Sequence, residues 1–135
     1  MDLNVTFAGG VKVDAHFAGF TVHTDQPVKG GGEGSAPSPF ALFQASLATC
    51  AGYYVASFCQ QRNLPTDGIR ITQSTESEPG HGRVTRMKLE IHVPESFPEK
   101  YRAALVRAAE QCTVKKLIEN PPAFDLSTVV DPVAA

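Results

Sequence analysis

The strongest nucleophiles this chain can offer are the thiols of Cys50, Cys59 and Cys112, and the reactivity of each depends on how readily it ionises. Three is an odd count, and no two are spaced C-x-x-C, which fits neither a disulfide framework nor a zinc site. Cys50 lies midway along a long apolar stretch. Burial there raises a thiol's pKa unless a cation, a hydrogen-bond donor or a helix terminus stabilises the thiolate, and the dipole of its own helix helps little at that position. Cys112 falls at or near the start of a helical segment, where free backbone N–H groups and the positive end of the dipole favour a thiolate. Lys115 and Lys116 follow on the next turn. Cys59 comes nine residues after Cys50, about 180° away around a 3.6-residue helix, and reads as a structural thiol. Spacing alone leaves open whether Cys50 and Cys112 meet.

Other polar side chains point to less. His16 and His23 sit on strands, His81 in a turn and His92 on the polar face of a strand. Four scattered histidines make no ligand set, so no metal and no cofactor is expected. Lys115 and Lys116 read as a solvated helix face from which one amine could approach Cys112. Tyr53 and Tyr54 read as core aromatics whose hydroxyls need partners. The glycine-rich run 25–37, DQPVKGGGEGSAP, matches neither G-x-G-x-x-G nor the phosphate-binding G-x-x-x-x-G-K-[ST] pattern. It reads as a loop, either linker-like or a mobile wall over a site.

The element that must carry Cys50 is 38–62, SPFALFQASLATCAGYYVASFCQQR. Ser38 is placed to cap a long helix and Pro39 to open it, where a missing N–H costs little. Apolar residues point all round this helix, which predicts cover on most sides. Ser46, Thr49, Ser57 and Gln60 dilute it below a membrane-spanning signal. Ahead of it, period-two alternation and the Gly9-Gly10 and Ala18-Gly19 turns predict a three-stranded antiparallel meander. After it come a hairpin of strands 69–77 and 83–93, then an amphipathic helix from Pro98. The segment around Cys112 either continues that helix or starts a new one. A last strand is expected over 124–130. Segregated runs of strands and helices predict an α+β fold, and a length of 135 residues predicts one domain over 1–135. The net charge of −2 argues against a nucleic-acid partner. The start lacks a basic and apolar leader pattern, so the expected location is cytoplasmic, with no membrane partner.

Three segments together resemble the OsmC and organic hydroperoxide resistance superfamily of small thiol-dependent peroxidases. They are the N-terminal Gly-Gly hairpin, the APSPFALFQASLATCAGYYV helix entry with Cys50, and AAEQCTVKKLIENP with Cys112. The resemblance covers nearly the whole chain. It implies an intertwined homodimer with long central helices, antiparallel sheets around them, and two equivalent sites at the interface. It also implies roles: Cys50 attacks the O–O bond of an organic hydroperoxide and becomes a sulfenic acid, Cys112 resolves it to a disulfide, and a dithiol reductant restores the pair.

The apolar neighbourhood of Phe40, Phe43, Tyr53 and Tyr54 suits bulky organic peroxides. Two family residues are replaced. An arginine follows the family's Gly-Gly, where this chain has Val11, with Lys12 next to it. A glutamate stands ten residues before the reactive cysteine, where this chain has Phe40. Lys12 and Glu33 are the nearest stand-ins, although strand alternation turns Lys12 away from the face of Val11. Without the pair, Cys50 is expected to be less ionised. That leaves an alternative reading, a dimer of the same fold that binds an apolar small molecule with little or no turnover.

Overall fold

The protein is described by a computed structural model over residues 1–132. Its longest element is helix α1, Pro39–Gln61. The Ser38 hydroxyl accepts a hydrogen bond from the Ala41 N–H at 3.2 Å, and Pro39 takes the first helical position. The helix ends where Asn63 turns to φ 51° and Leu64 donates its N–H back to the Cys59 carbonyl. Leu47, Ala51, Val55, Phe58 and Cys59 are its buried residues, a single stripe at helical spacing. Within the single chain the expectation of cover on most sides is therefore corrected. Phe40, Phe43 and Tyr53, on other faces, are 51%, 38% and 64% exposed.

Two of the partners of the buried stripe build the core. One is a hairpin of antiparallel strands, β4 (Arg70–Ser77) and β5 (Val84–His92), in which Ile71 faces Ile91 and Gln73 faces Leu89. Alternation places these residues on the inner face and Arg70, Thr72, Ser74 and Glu76 outside. The other partner is helix α2, Arg102–Ala109, entered through a 3-10 turn at Glu99–Tyr101. Val55, Phe58, Cys59, Phe97 and Leu105 form the core between them. Phe58 and Tyr101 meet edge to face at 5.9 Å, and the Arg62 guanidinium lies 3.6 Å over the Phe58 ring. The chain then breaks at 110–112 and starts anew as helix α3, Thr113–Glu119.

The N-terminal meander is a separate sheet, with strands β1 (Asn4–Gly9), β2 (Lys12–Phe17) and β3 (Phe20–Thr24) in that spatial order. One face carries Val5, Phe7, Val13, Ala15, Phe17, Phe20 and Val22, among which Phe7 is 86% and Phe20 66% exposed. The other is polar: His16 bonds Thr6 (2.9 Å) and Thr21 (3.2 Å), and His23 bonds Asp14 (2.9 Å).

Between this sheet and α1, the glycine-rich segment is pinned, not linker-like. Asp25, fully buried, accepts from the Gln26 N–H (2.8 Å), the Glu33 N–H (3.2 Å), and both the N–H (3.0 Å) and hydroxyl (2.6 Å) of Ser35. A Cβ at Gly32 would collide with the Gln26 carbonyl and the Asp25 carboxylate, so only glycine fits.

The strand expected over 124–130 does not form. Residues 121–132 run as irregular chain, with Phe124 at 87% and Leu126 at 101% exposure. Alternating apolar residues mark a segment that needs cover, but a strand exists only where an edge pairs with it. No edge of its own chain does so among the described residues.

Candidate active site

Cys50 and Cys112, 62 residues apart in sequence, come together where α3 begins against the middle of α1. Cys112 is the N-cap of α3. Its sulfur accepts from the Lys115 N–H at 3.4 Å and lies 3.8 Å from the Leu47 carbonyl, one turn before Cys50. The Thr113 hydroxyl is 3.6 Å from Cys50 Sγ. Both cysteines are free thiols, Cys112 buried and Cys50 partly accessible.

Burial pushes the Cys50 thiol up, but hydrogen bonds outweigh it. The Val114 N–H, the Thr113 hydroxyl, the Cys112 thiol and the Thr113 N–H together bring Cys50 down to about 7. These donors sit at the start of α3, where helical N–H groups have no internal partner. This corrects the expectation of a poorly ionised Cys50: its own helix offers little, and a different helix supplies the donors. Cys112 is corrected in the opposite sense. Burial raises its pKa, only partly offset by the Lys115 N–H, and negative charge on Cys50 raises it further. Two neighbouring sulfurs cannot both ionise easily, and the geometry favours Cys50 as the thiolate. Cys59 is fully buried and its pKa is raised, first by burial, as suits a structural thiol.

The lysines point elsewhere. Lys115 Nζ pairs with Glu119 at 3.2 Å and Lys116 Nζ bonds Gln111 at 2.8 Å, so neither amine is directed at Cys112. Lys12 and Glu33 pair with each other, Nζ to Oε2 at 2.8 Å, joining β2 to the pinned loop. Neither is among the leading influences on Cys50 in the same chain. Phe43 lies seven residues before Cys50 and Tyr53 three after, which puts both near its face of α1, and both are exposed. Phe40 stacks on Phe43 with ring centroids 5.9 Å apart, and Tyr53 meets Tyr54 edge-on at 5.0 Å.

On the other side of Cys112 a cavity of about 440 Å³ opens between α1, the β4–β5 hairpin, α2 and α3. Leu47, Ile71, Met87, Leu89 and Ile91 line it, with Glu110, Lys115 and Glu119 among its polar residues. Among the described residues no group of three His, Cys, Asp or Glu side chains could hold a metal ion, and no helix is long and apolar enough to cross a membrane.

Sequence reasoning missed Thr113 and Asp25. A hydroxyl residue directly after a cysteine at a helix start is a weak sign of the first. An acid entering a glycine-rich loop that also holds a serine is a sign of the second.

The family model described as OsmC-like protein matches residues 32–127, a span that includes the end of the pinned loop, Cys50 and Cys112. The chain belongs to the OsmC-like protein family. Solved structures share the fold of this OsmC-like chain. A putative osmotic stress induced and detoxification response protein from Psychrobacter arcticus superposes with a TM-score of 0.71 at 24% identity, covering 84% of this chain and 85% of that one. An organic hydroperoxide resistance protein OsmC from Legionella pneumophila gives a TM-score of 0.55 at 21% identity, covering 87% of each. The organic hydroperoxide resistance protein OhrB of Bacillus subtilis gives 0.51 at 19%, covering 89% and 93%. No curated protein matches the chain in sequence.

Proposed function

We propose that this OsmC-like protein reduces organic hydroperoxides, with Cys50 as the attacking thiolate and Cys112 as the resolving thiol. The observation that carries the reading is the placement of Cys50 sulfur against the donors at the start of α3, with Cys112 in reach. Hydroperoxide resistance in the names of two structural neighbours supports it at the level of substrate class. The Cys50 thiolate attacks the terminal oxygen of ROOH. An S–O bond forms, the O–O bond breaks, and the alkoxide takes a proton and leaves as ROH. The sulfenic acid on Cys50 is then attacked by Cys112 sulfur. The disulfide forms, and hydroxide leaves with the Cys112 proton as water. An external dithiol restores both thiols by exchange and is itself oxidised to a disulfide.

The working unit is a homodimer. Exposed Phe40, Phe43 and Tyr53 on α1 and the uncovered apolar face of the β1–β3 sheet are the surfaces a second copy would bury. The partner's Lys12–Glu33 pair then has the opportunity to approach a cysteine that it does not reach in its own chain. Three free thiols suit the reducing cytoplasm, which also supplies dithiols. The cavity behind Cys112 favours a second reading, binding of an apolar small molecule with little turnover.

The deciding experiment mixes reduced protein with about one equivalent of cumene hydroperoxide and follows thiols and disulfides by mass spectrometry. A Cys50–Cys112 disulfide, lost in Cys50→Ser and in Cys112→Ser, is the expected result. Thiols that survive a large peroxide excess would sink the enzyme reading and leave the binding reading standing.

A further inference from the structure

A cation is one common means of activating a cysteine thiolate, and among the described residues of this chain none is placed on Cys50. Of the charged groups on elements packed against α1, Lys115 and Glu119 of α3 pair with each other and Glu110 ends α2 beside the cavity. Arg70 and Glu76 of β4 lie on the outer face of their hairpin. The titratable group that faces Cys50 is Cys112, itself uncharged when Cys50 is ionised. What does reach the sulfur is Thr113, the first residue of α3.

We propose that Thr113 is a further catalytic residue: its hydroxyl, 3.6 Å from Cys50 Sγ, donates the hydrogen bond that holds the thiolate where another protein would use a cation. The assignment rests on the reading of Cys50 as the attacking sulfur. Its direction follows from proton inventory. Between a thiol and a hydroxyl either group can donate, but a thiolate has no proton, so once Cys50 ionises the Thr113 O–H must be the donor. Hydrogen bonds to a charged acceptor are about twice as strong as neutral ones, so the contact favours the thiolate over the thiol. Thr113 sits between the N-cap Cys112 and Val114, whose N–H also points at Cys50, so the start of α3 sets its position. Because the donor carries no net charge, salt does not screen it as it would screen a lysine or arginine.

Four results then separate this role from a merely structural one. Thr113→Val keeps the shape and removes the donor, and Thr113→Ser keeps the donor. The readout is the rate at which iodoacetamide modifies the Cys50 peptide of the whole protein, measured by mass spectrometry from pH 5 to 10. In Thr113→Val the midpoint rises by about one pH unit, so the thiolate fraction at pH 7 falls roughly fivefold. Well above both midpoints the variant reacts at least as fast as the parent, because a thiolate of higher pKa is the better nucleophile. Thr113→Ser restores the parent midpoint, and the parent midpoint holds between 0.05 and 1 M NaCl.

An unchanged midpoint in Thr113→Val would overturn the proposal. So would a loss of rate at every pH with the same midpoint, which would mean disturbed packing. A midpoint that rises in salt or in Lys12→Met but not in Thr113→Val would assign activation to a cation, with Lys12 of a second copy as its source. Failure of the peroxidase reading is distinguishable. Parent protein inert to cumene hydroperoxide would refute that reading, while the alkylation profile would still report on Thr113.

Discussion

Asp25 and Cys50 are both acids whose ionised form is favoured by donors that precede or begin other structure, and each has its own pH signature. The Ser35 hydroxyl and N–H hold the Asp25 carboxyl well below the usual carboxylate range despite its burial, helped by the Gln26 and Glu33 N–H groups. A folded pKa below the unfolded one means stability that is complete above about pH 4, where the unfolded carboxyl is ionised, and that is lost as pH falls towards the folded value. Acid titration of thermal stability is therefore expected to be steeper below pH 4 in the parent than in Asp25→Asn. The variant should also melt several degrees lower at pH 7, because amide hydrogens would face the same backbone donors. Cys50 acts in the window near neutrality. Its modification and its reaction with peroxide are expected to rise through about pH 7 and level off above, with Cys59 silent throughout. Stopped-flow rates against pH check this; a midpoint near the ordinary thiol value would contradict it. These residue-level properties were the least legible part of the sequence. Cys50 and Cys112 could be picked out as chemistry-bearing by type and setting, but the donors that sort thiolate from thiol come from residues more than sixty positions away in the chain. No helical or strand period encodes that meeting.

Elements whose signal is local were legible. The Ser38–Pro39 start of α1, the glycine turns of β1–β3 and the alternation of β4 and β5 each rest on neighbours in sequence, and each is present. The segment 124–130 carries the same alternation and forms no strand, because pairing is a property of two segments and only one of them is in view. Helix α3 is intermediate. A new start near Cys112 is one of the two outcomes the sequence allows, continuation of α2 being the other, and nothing in it marks the thiol as the cap. Sulfur is a weak acceptor, so Cys112→Ser should hold α3 at least as well as the parent. Cys112→Ala should lose on the order of 0.5–1 kcal/mol relative to Cys112→Ser. Amide exchange at Lys115, whose N–H meets the cap, is the measurement: faster in the alanine variant, parent-like or slower in the serine variant.

For the whole molecule, the pattern of apolar exposure is the informative feature. The β1–β3 sheet buries neither face in its own chain, and α1 covers one stripe only. Three strands with an apolar face become stable by packing that face on something. If a second copy is what covers them, the melting temperature should climb with protein concentration, and sedimentation should show a dimer at micromolar levels. A melting temperature indifferent to a hundredfold dilution, with a monomeric sediment, would count against pairing. The feature also bears on how the molecule is made. Residues 1–24 leave the ribosome before α1 exists, yet they have no core of their own to join. This sheet is thus made ahead of the residues that follow it, and a nascent chain halted before Pro39 should stay open to proteases until later residues, its own or another chain's, cover it.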